Sequence, residues 1–524
     1  MPTTRGLLTR IPVPRAAGPA APEQEPKPAS GELLPPAAAP PRAPQPPEPD
    51  FSSSFDAQQH LFSSDGALSA LSVEQRIRVI EGLTRELGFQ STEDGTAMRA
   101  QLSSVFKTLT APDEFERVYF SVNTPAVLRY MTDGRKVRAR MMNQMRSSTP
   151  GDWAAYSKYL DAVTQTRATT GNRIELLSEG TEVMQRLTAE VTAAKRSIDI
   201  SMYKWEPDSV GLGFAAALIA KANPTDPAQA KVAVRVMIDR QGSFDQDPNA
   251  SQRMVDELRR NGVEVIVKET GLLREHLDHR KIIVIDDTIG FTGGMNIGEL
   301  YRDVWRDQLS RIEGPLVHQL RASLHERWRQ EGGTVAPIEE WDAKSPKPGA
   351  PESRVITHQG RFEDSYIKAA YLKALYTARR QINISTPYFT DPDIRRALCD
   401  AAKRGVTVRL MMPAVNDVEL LRDAARASYP ELIKAGVEVY EYQSRMAHQK
   451  IATIDGTWST FGSSNLDARS LEYNEELNVF STDAQVATDL NEKMFDVDLK
   501  KSVRITSYQA NLKEKFIKAF SGLL

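Results

Sequence analysis

The stretch His279-Arg280-Lys281-Ile282-Ile283-Val284-Ile285-Asp286, followed after six residues by Gly293-Gly294-Met295-Asn296, is written twice in this chain. Its second copy runs His448-Gln449-Lys450, four residues, Asp455, six residues, Gly462-Ser463-Ser464-Asn465. Matched residues stand 169 apart: His279/His448, Lys281/Lys450, Asp286/Asp455, Gly293/Gly462, Asn296/Asn465. The same offset reaches Asp307 and Glu476, each 28 residues beyond its histidine. A lone histidine with a lysine two residues on is commonplace and most often structural. A duplicated set held in register without insertion or deletion is not. It predicts two similar lobes, each supplying half of one site.

Other matched pieces surround the motif. Ile198-Asp199-Ile200 pairs with Ile382-Asn383-Ile384, and Val232-Ala233-Val234-Arg235-Val236 with Val406-Thr407-Val408-Arg409-Leu410. Gly262-Val263-Glu264-Val265 recurs as Gly436-Val437-Glu438-Val439. The last two pairs are offset by 174, so the first lobe carries five extra residues just before its histidine. Short β-rich runs alternating with helical patterns predict α/β lobes with largely buried sheets. The lobes are expected at 172–345 and 352–524.

Two segments precede them. Residues 1–50 hold fifteen of the thirty-one prolines and many alanines. Such a stretch cannot bury enough apolar surface to offset its ordering entropy, so a disordered arm is expected. Residues 51–168 predict a small helical domain of unknown role. Ser72-Val73-Glu74-Gln75 starts it with a capping box, and Val73, Ile77, Ile80, Leu83 and Leu87 follow at helical spacing.

The bulk composition narrows the function. A formal charge of −2 and a pI near 6.5 argue against a nonspecific nucleic-acid wrapper, and no nucleic-acid partner is expected. The single cysteine, Cys399, excludes an internal disulfide and reads as a buried thiol. No apolar run reaches 18 residues and no clear signal peptide is legible, which predicts a cytoplasmic or peripherally membrane-bound protein. Leu512, Phe516, Ile517, Phe520, Leu523 and Leu524 fall on one helical face flanked by lysines. That face suits an anionic membrane interface, or packing against the second lobe.

The chemistry follows from residue types. In a strand, residues two apart share a face, so His279 points with Lys281 and His448 with Lys450. Asp286 and Asp455 open turns, and the chain returns into Gly293-Gly294 and Gly462-Ser463. Gly294 and Ser463, being small, allow a ligand to approach the backbone. Asn296 and Asn465 offer amide donors to an oxyanion. Two lysines and two amides around two imidazoles suit a phosphodiester. One ring attacks phosphorus and the other protonates the leaving oxygen. Asp307 and Glu476 are placed to hold each ring's other nitrogen and so fix its tautomer. Neither metal nor cofactor is required. His60, His318, His325 and His358 have no matched partner and read as surface or core residues.

These residues resemble the paired HKD motifs of the phospholipase D superfamily, and within it the bacterial cardiolipin synthases. Trp305-Arg306-Asp307, Arg311-Ile312-Glu313-Gly314-Pro315, Thr386-Pro387-Tyr388-Phe389 and Gly462-Ser463-Ser464-Asn465-Leu466-Asp467-Ala468-Arg469-Ser470 are similar to further family segments. The resemblance covers about 172–524. It implies a pseudo-twofold pair of lobes with one site at their seam and a covalent phosphatidyl-histidine intermediate. It also implies a catalytic set of His279, Lys281, Asp286, His448, Lys450 and Asp455, with His279 as nucleophile, His448 as acid and the two aspartates partly structural. The implied reaction joins two phosphatidylglycerol molecules into cardiolipin and glycerol, with phospholipid as substrate and peripheral membrane contact. Protein partners stay unknown. The alternatives are a phospholipase D that hydrolyses to phosphatidic acid, including a delivered toxin, a nuclease of the same superfamily, and a noncatalytic lipid-binding scaffold.

Overall fold

A computed structural model describes residues 145–164, 166–269, 277–336, 350–359, 365–511 and 513–515. The proline-rich arm, most of the expected helical domain and the whole C-terminal apolar face lie outside them.

Two mixed sheets carry the described fold. The first contains β1 (Arg173–Leu177), β2 (Ser197–Met202), β3 (Ala233–Asp239), β4 (Glu264–Lys268), β5 (Lys281–Ile285), β6 (Ile289–Gly293) and β7 (Leu309–Glu313), in the order β1-β7-β6-β5-β2-β3-β4. The second contains β8 (Ser353–Gln359), β9 (Gln381–Ser385), β10 (Thr407–Pro413), β11 (Glu438–Tyr442), β12 (Ile451–Ile454), β13 (Trp458–Gly462), β14 (Glu475–Ser481) and β15 (Ser502–Ile505). Its order, β8-β14-β13-β12-β9-β10-β11-β15, repeats the first sheet and adds one antiparallel edge strand. The two-lobed α/β architecture expected from the repeat is therefore present.

Alternation along the motif strands builds three cores. Ile283 and Ile285 on β5 face an outer core with the helices at Gly180–Ala193, Ser209–Ala222 and Pro248–Arg260. Ile282 and Val284 face the opposite way, into a middle core shared by both sheets. The second lobe repeats this: Ala452 and Ile454 face its own outer core, while Ile451 joins the middle one. That middle core includes Leu316, Leu320 and Leu324 from one lobe and Leu490, Met494 and Phe495 from the other. Burying a leucine-sized side chain stabilises by roughly 2 kcal/mol, so this layer is enough to hold the lobes face to face.

The helix Trp153–Val163 packs by Tyr156 and Leu160 into the outer core of the second lobe. Thr169 forms a β-bridge to Ser353. The described end of the segment before the first lobe is thus fastened to the second. Cys399 is buried. Among the described residues, no helix is long and apolar enough to cross a membrane.

Candidate active site

The motif strands start later than expected, two residues after His279 and three after His448. His279 precedes β5 because its N–H crosses the seam to Glu475 O at 2.9 Å, and Glu475 N–H returns to Leu277 O at 2.8 Å. The second lobe does the same: His448 N–H bonds Arg306 O at 2.7 Å, and Arg306 N–H bonds Met446 O at 2.7 Å. Each histidine is therefore held by backbone from the other lobe.

The side chains cross too. His279 Nδ1 lies 2.9 Å from Glu476 Oε1, and His448 Nδ1 lies 2.7 Å from Asp307 Oδ2. Each acid serves the histidine of the opposite lobe. Both rings and both acids are buried. Tyr203 meets the His279 ring edge-on at 4.6 Å, and Trp305 covers His448 at 4.9 Å.

Lys281 Nζ donates to His279 O and Lys450 Nζ to His448 O, each at 2.6 Å. Lys450 Nζ also stands 2.9 Å from His448 Nε2 and 3.1 Å from Nδ1. No described residue bonds His279 Nε2, so one ring presents a free nitrogen while the other is engaged at both.

Burial sets the electrostatics. It pushes His279 down to about 4, against the pull of Glu476, and it lowers His448, with Lys450 adding to the effect. The same desolvation lowers Lys281 to about 7 and Lys450 to about 8. Burial works against the Glu476 charge as well. His279, Lys281 and the Ser463 hydroxyl outweigh it and hold that carboxyl below its ordinary range. Together these groups are cations and imidazoles short of negative charge, which an anionic ligand would supply.

Asp286 and Asp455, expected in the catalytic set, lie away from the rings and hold backbone instead. Asp286 accepts backbone N–H groups of Lys195, Arg196 and Ser197 at 2.8, 2.7 and 3.1 Å. Asp455 accepts those of Arg379, Arg380 and Gln381 at 2.9, 2.7 and 2.9 Å. Both sit in left-handed turns, at φ 51° and 57°. Asp286 stands five steps along the chain from Lys281, roughly 16 Å in a strand, so these acids clamp the far end of the sheet.

Of the residues expected to bind phosphate, Ser463 is committed elsewhere. Its hydroxyl donates to Glu476 and accepts from Leu477 N–H at 3.0 Å, so it orients the acid. Gly294 makes room: a Cβ there would stand 2.4 Å from Asp307 Oδ1. Asn296 accepts from Lys204 N–H at 3.2 Å, and Asn465 donates to Ser470 at 3.2 Å, leaving Asn465 Oδ1 buried and unpaired.

Sequence reasoning missed the ion pairs beneath the site. Arg280 binds Asp278 at 2.8 Å and Glu475 at 3.0 Å, and Lys268 reaches Glu475 at 3.0 Å. On the other side Arg306 binds Asp498 at 3.0 Å and Glu179 at 2.7 Å. The available signal was position: Arg280 lies between the motif histidine and lysine, and Glu475 and Arg306 each adjoin a histidine-orienting acid. His325 is buried against Asp199 at 3.0 Å, a structural role as expected. Among the described residues no group of three or more His, Cys, Asp or Glu is placed to hold a metal ion.

Comparison with known proteins places this geometry. A family model described as "Cardiolipin synthase, PLD-like domain" matches residues 187–328 and 371–497. The "Probable cardiolipin synthase YwiE" of Bacillus subtilis (strain 168) is 32% identical over 68% of this chain and 73% of its own. "Cardiolipin synthase A" of Klebsiella pneumoniae subsp. pneumoniae is 31% identical over 61% and 68%. The crystal structure of phosphatidylserine synthase from Haemophilus influenzae Rd KW20 superposes with a TM-score of 0.54 at 14% identity. It covers 70% of this chain and 100% of that one, a likeness of fold.

Proposed function

This chain belongs to the phospholipase D superfamily, within the cardiolipin synthase, PLD-like domain family, and on that premise we propose that it is a phosphatidyltransferase making cardiolipin from phosphatidylglycerol. One observation carries the reading. The orienting acids are exchanged between lobes, His279 with Glu476 and His448 with Asp307, which puts both motifs at one seam.

Two half-reactions follow. The free Nε2 of neutral His279 attacks phosphorus, the bond to the glycerol headgroup oxygen breaks, and protonated His448 gives that oxygen its proton. Glycerol leaves, and a phosphoramidate links the phosphatidyl group to His279. The headgroup hydroxyl of a second phosphatidylglycerol then loses its proton to His448 and attacks phosphorus, and the bond to His279 breaks. Cardiolipin is released and both rings return to their starting states.

The electrostatics support this division. A nucleophile must be unprotonated, and His279 at about 4 is so at neutral pH. An incoming phosphodiester raises the proton affinity of His448 and both lysines, charging the acid when it is needed. Glu476 and Asp307 hold each Nδ1–H; Nε2 of His279 is thereby left for attack, and Nε2 of His448, beside Lys450, carries the proton once that lysine turns to the phosphate. Fixed ammonium groups then meet the charge that develops on the nonbridging oxygens. Lipid access requires peripheral contact with a membrane surface.

The test is incubation with phosphatidylglycerol vesicles, with products separated by mass. Cardiolipin and glycerol should dominate, with phosphatidic acid minor. Phosphatidic acid as the main product at high phosphatidylglycerol density would make the protein a hydrolase. Cleavage of a nucleic acid with no lipid product would overturn the lipid reading.

A further inference from the structure

The lobes are not copies at the end of the sheets away from the histidines. In the first lobe Asp199 on β2 accepts from Arg235 at 2.7 Å and pairs with His325 at 3.0 Å. Beside it, Asp287 pairs with Arg321 at 2.9 Å and lies 3.9 Å from Arg196. The guanidinium groups there are balanced by carboxylates from the chain itself.

In the second lobe the arginines remain and those carboxylates are gone. Asn383 is registered against Arg409 as Asp199 is against Arg235. Arg380 takes the place of Arg196: its backbone N–H binds Asp455, and its guanidinium donates to Asp455 O at 2.6 Å. The acids Asp199 and Asp287 are replaced by Asn383 and Gly456. Asn383 turns its amide to Asn491 at 3.1 Å, where His325 stands in the first lobe. A cavity of about 330 Å³ opens, lined by Arg380, Arg409, Asn383, Gly456 and Asn491, and by Asp455, whose carboxylate is already taken up by the backbone N–H groups of 379–381. Arg409 keeps one acidic partner, Glu438 at 3.2 Å, which it shares with Arg504. Among the described residues Arg380 has no carboxylate partner.

We propose that this cavity is a second anion site, apart from the histidine centre, that takes a phosphate-type oxyanion in the place of the two missing carboxylates. A phosphate monoester carries −1.5 to −2 at neutral pH, about the charge the first lobe supplies with Asp199 and Asp287. Guanidinium groups match its oxygens geometrically. The volume falls in the range of small-ligand pockets and accommodates a phosphate with a small polar substituent. The site lies at the Asp455 end of β12, past the strand's full length from His448, so its ligand does not touch the reacting groups.

The test uses the full chain and the residues of its own first lobe. Asn383→Asp with Gly456→Asp restores the carboxylates. Aspartate fits at 456, since Asp287 holds φ 63° at the matched position, Gly456 itself has φ 69°, and nothing lies within 4 Å of a Cβ there. Inorganic phosphate and vesicles carrying phosphatidic acid, a lipid-borne phosphate monoester, are titrated separately by calorimetry. The wild type should show one binding class beyond that of the histidine centre. The double variant should weaken that class by about tenfold or more while retaining transferase turnover. Loss in the phosphate arm identifies a soluble oxyanion, and loss in the vesicle arm alone identifies a lipid-borne phosphate; either supports the site. Arg380→Gln should lose the same class and decides the matter if the double variant does not fold. Wild-type affinity and stoichiometry in both arms for the folded variants overturns the proposal.

Discussion

His279 and Glu476 stand 197 residues apart in the chain and 2.9 Å apart in space, each from a different lobe. The mirrored pair, His448 and Asp307, closes at 2.7 Å. An acid that orients a ring across a seam makes lobe docking and catalysis one event.

Glu476→Gln and Asp307→Asn should therefore lower kcat by roughly 10²-fold while leaving KM nearly unchanged, because each acid holds a ring and not the lipid. Steady-state assays on vesicles of fixed composition measure both. A raised KM at unchanged kcat would remove the orienting role.

His279→Ala and His448→Ala should each abolish most turnover, and the double variant should be little worse than either, since attack and leaving-group protonation belong to one site. A phosphorylated histidine trapped during turnover should vanish in His279→Ala. Additive losses in the double variant would mean two independent sites.

Gly294→Ala should be a catalytic lesion. Its methyl would stand 2.4 Å from Asp307 Oδ1 and push the carboxylate off His448. Turnover should fall by roughly 10²-fold, with KM close to wild type. Wild-type turnover would show that Asp307 can shift without consequence.

Ligand binding should take up protons. Lys281 at about 7 and Lys450 at about 8 are partly unprotonated near pH 7.5, and an anion raises both. Calorimetry of a nonhydrolysable phosphodiester in buffers of different ionisation enthalpy reads the uptake directly. An enthalpy independent of buffer would refute it.

Acid stability carries a separate signature. The folded pKa of His279, about 4, lies below its ordinary 6.5. Between those values the unfolded chain binds the proton first, so this contribution to stability is complete above about pH 6.5 and declines as pH falls towards 4. Urea midpoints at pH 7 and pH 4.5 should therefore drop more for wild type than for His279→Ala. Equal drops would place the titration elsewhere.

The repeat in the sequence was enough to expect two α/β lobes, because a fixed offset across strand, turn and strand leaves little freedom in topology. His279, His448, Lys281, Lys450, Asp307 and Glu476 were legible as a set for the same reason. Spacing within one lobe, however, carries no information on which acid meets which ring, so the exchange of Glu476 and Asp307 was not readable. Nor was the clamp made by Asp286 and Asp455. Its partners are backbone N–H groups at 195–197 and 379–381, and backbone donors leave no mark in residue types. Ser463 looked like a ligand contact because its hydroxyl is small and polar, and those same properties suit it to hold Glu476.

The exchange also orders events during synthesis. The ribosome releases His279 long before Glu476, and until that last acid is made and docked the imidazole has neither its carboxylate nor the backbone bond from Glu475. Until then the first lobe carries half of a site. Only a chain whose two halves have closed on each other holds both rings in their paired geometry.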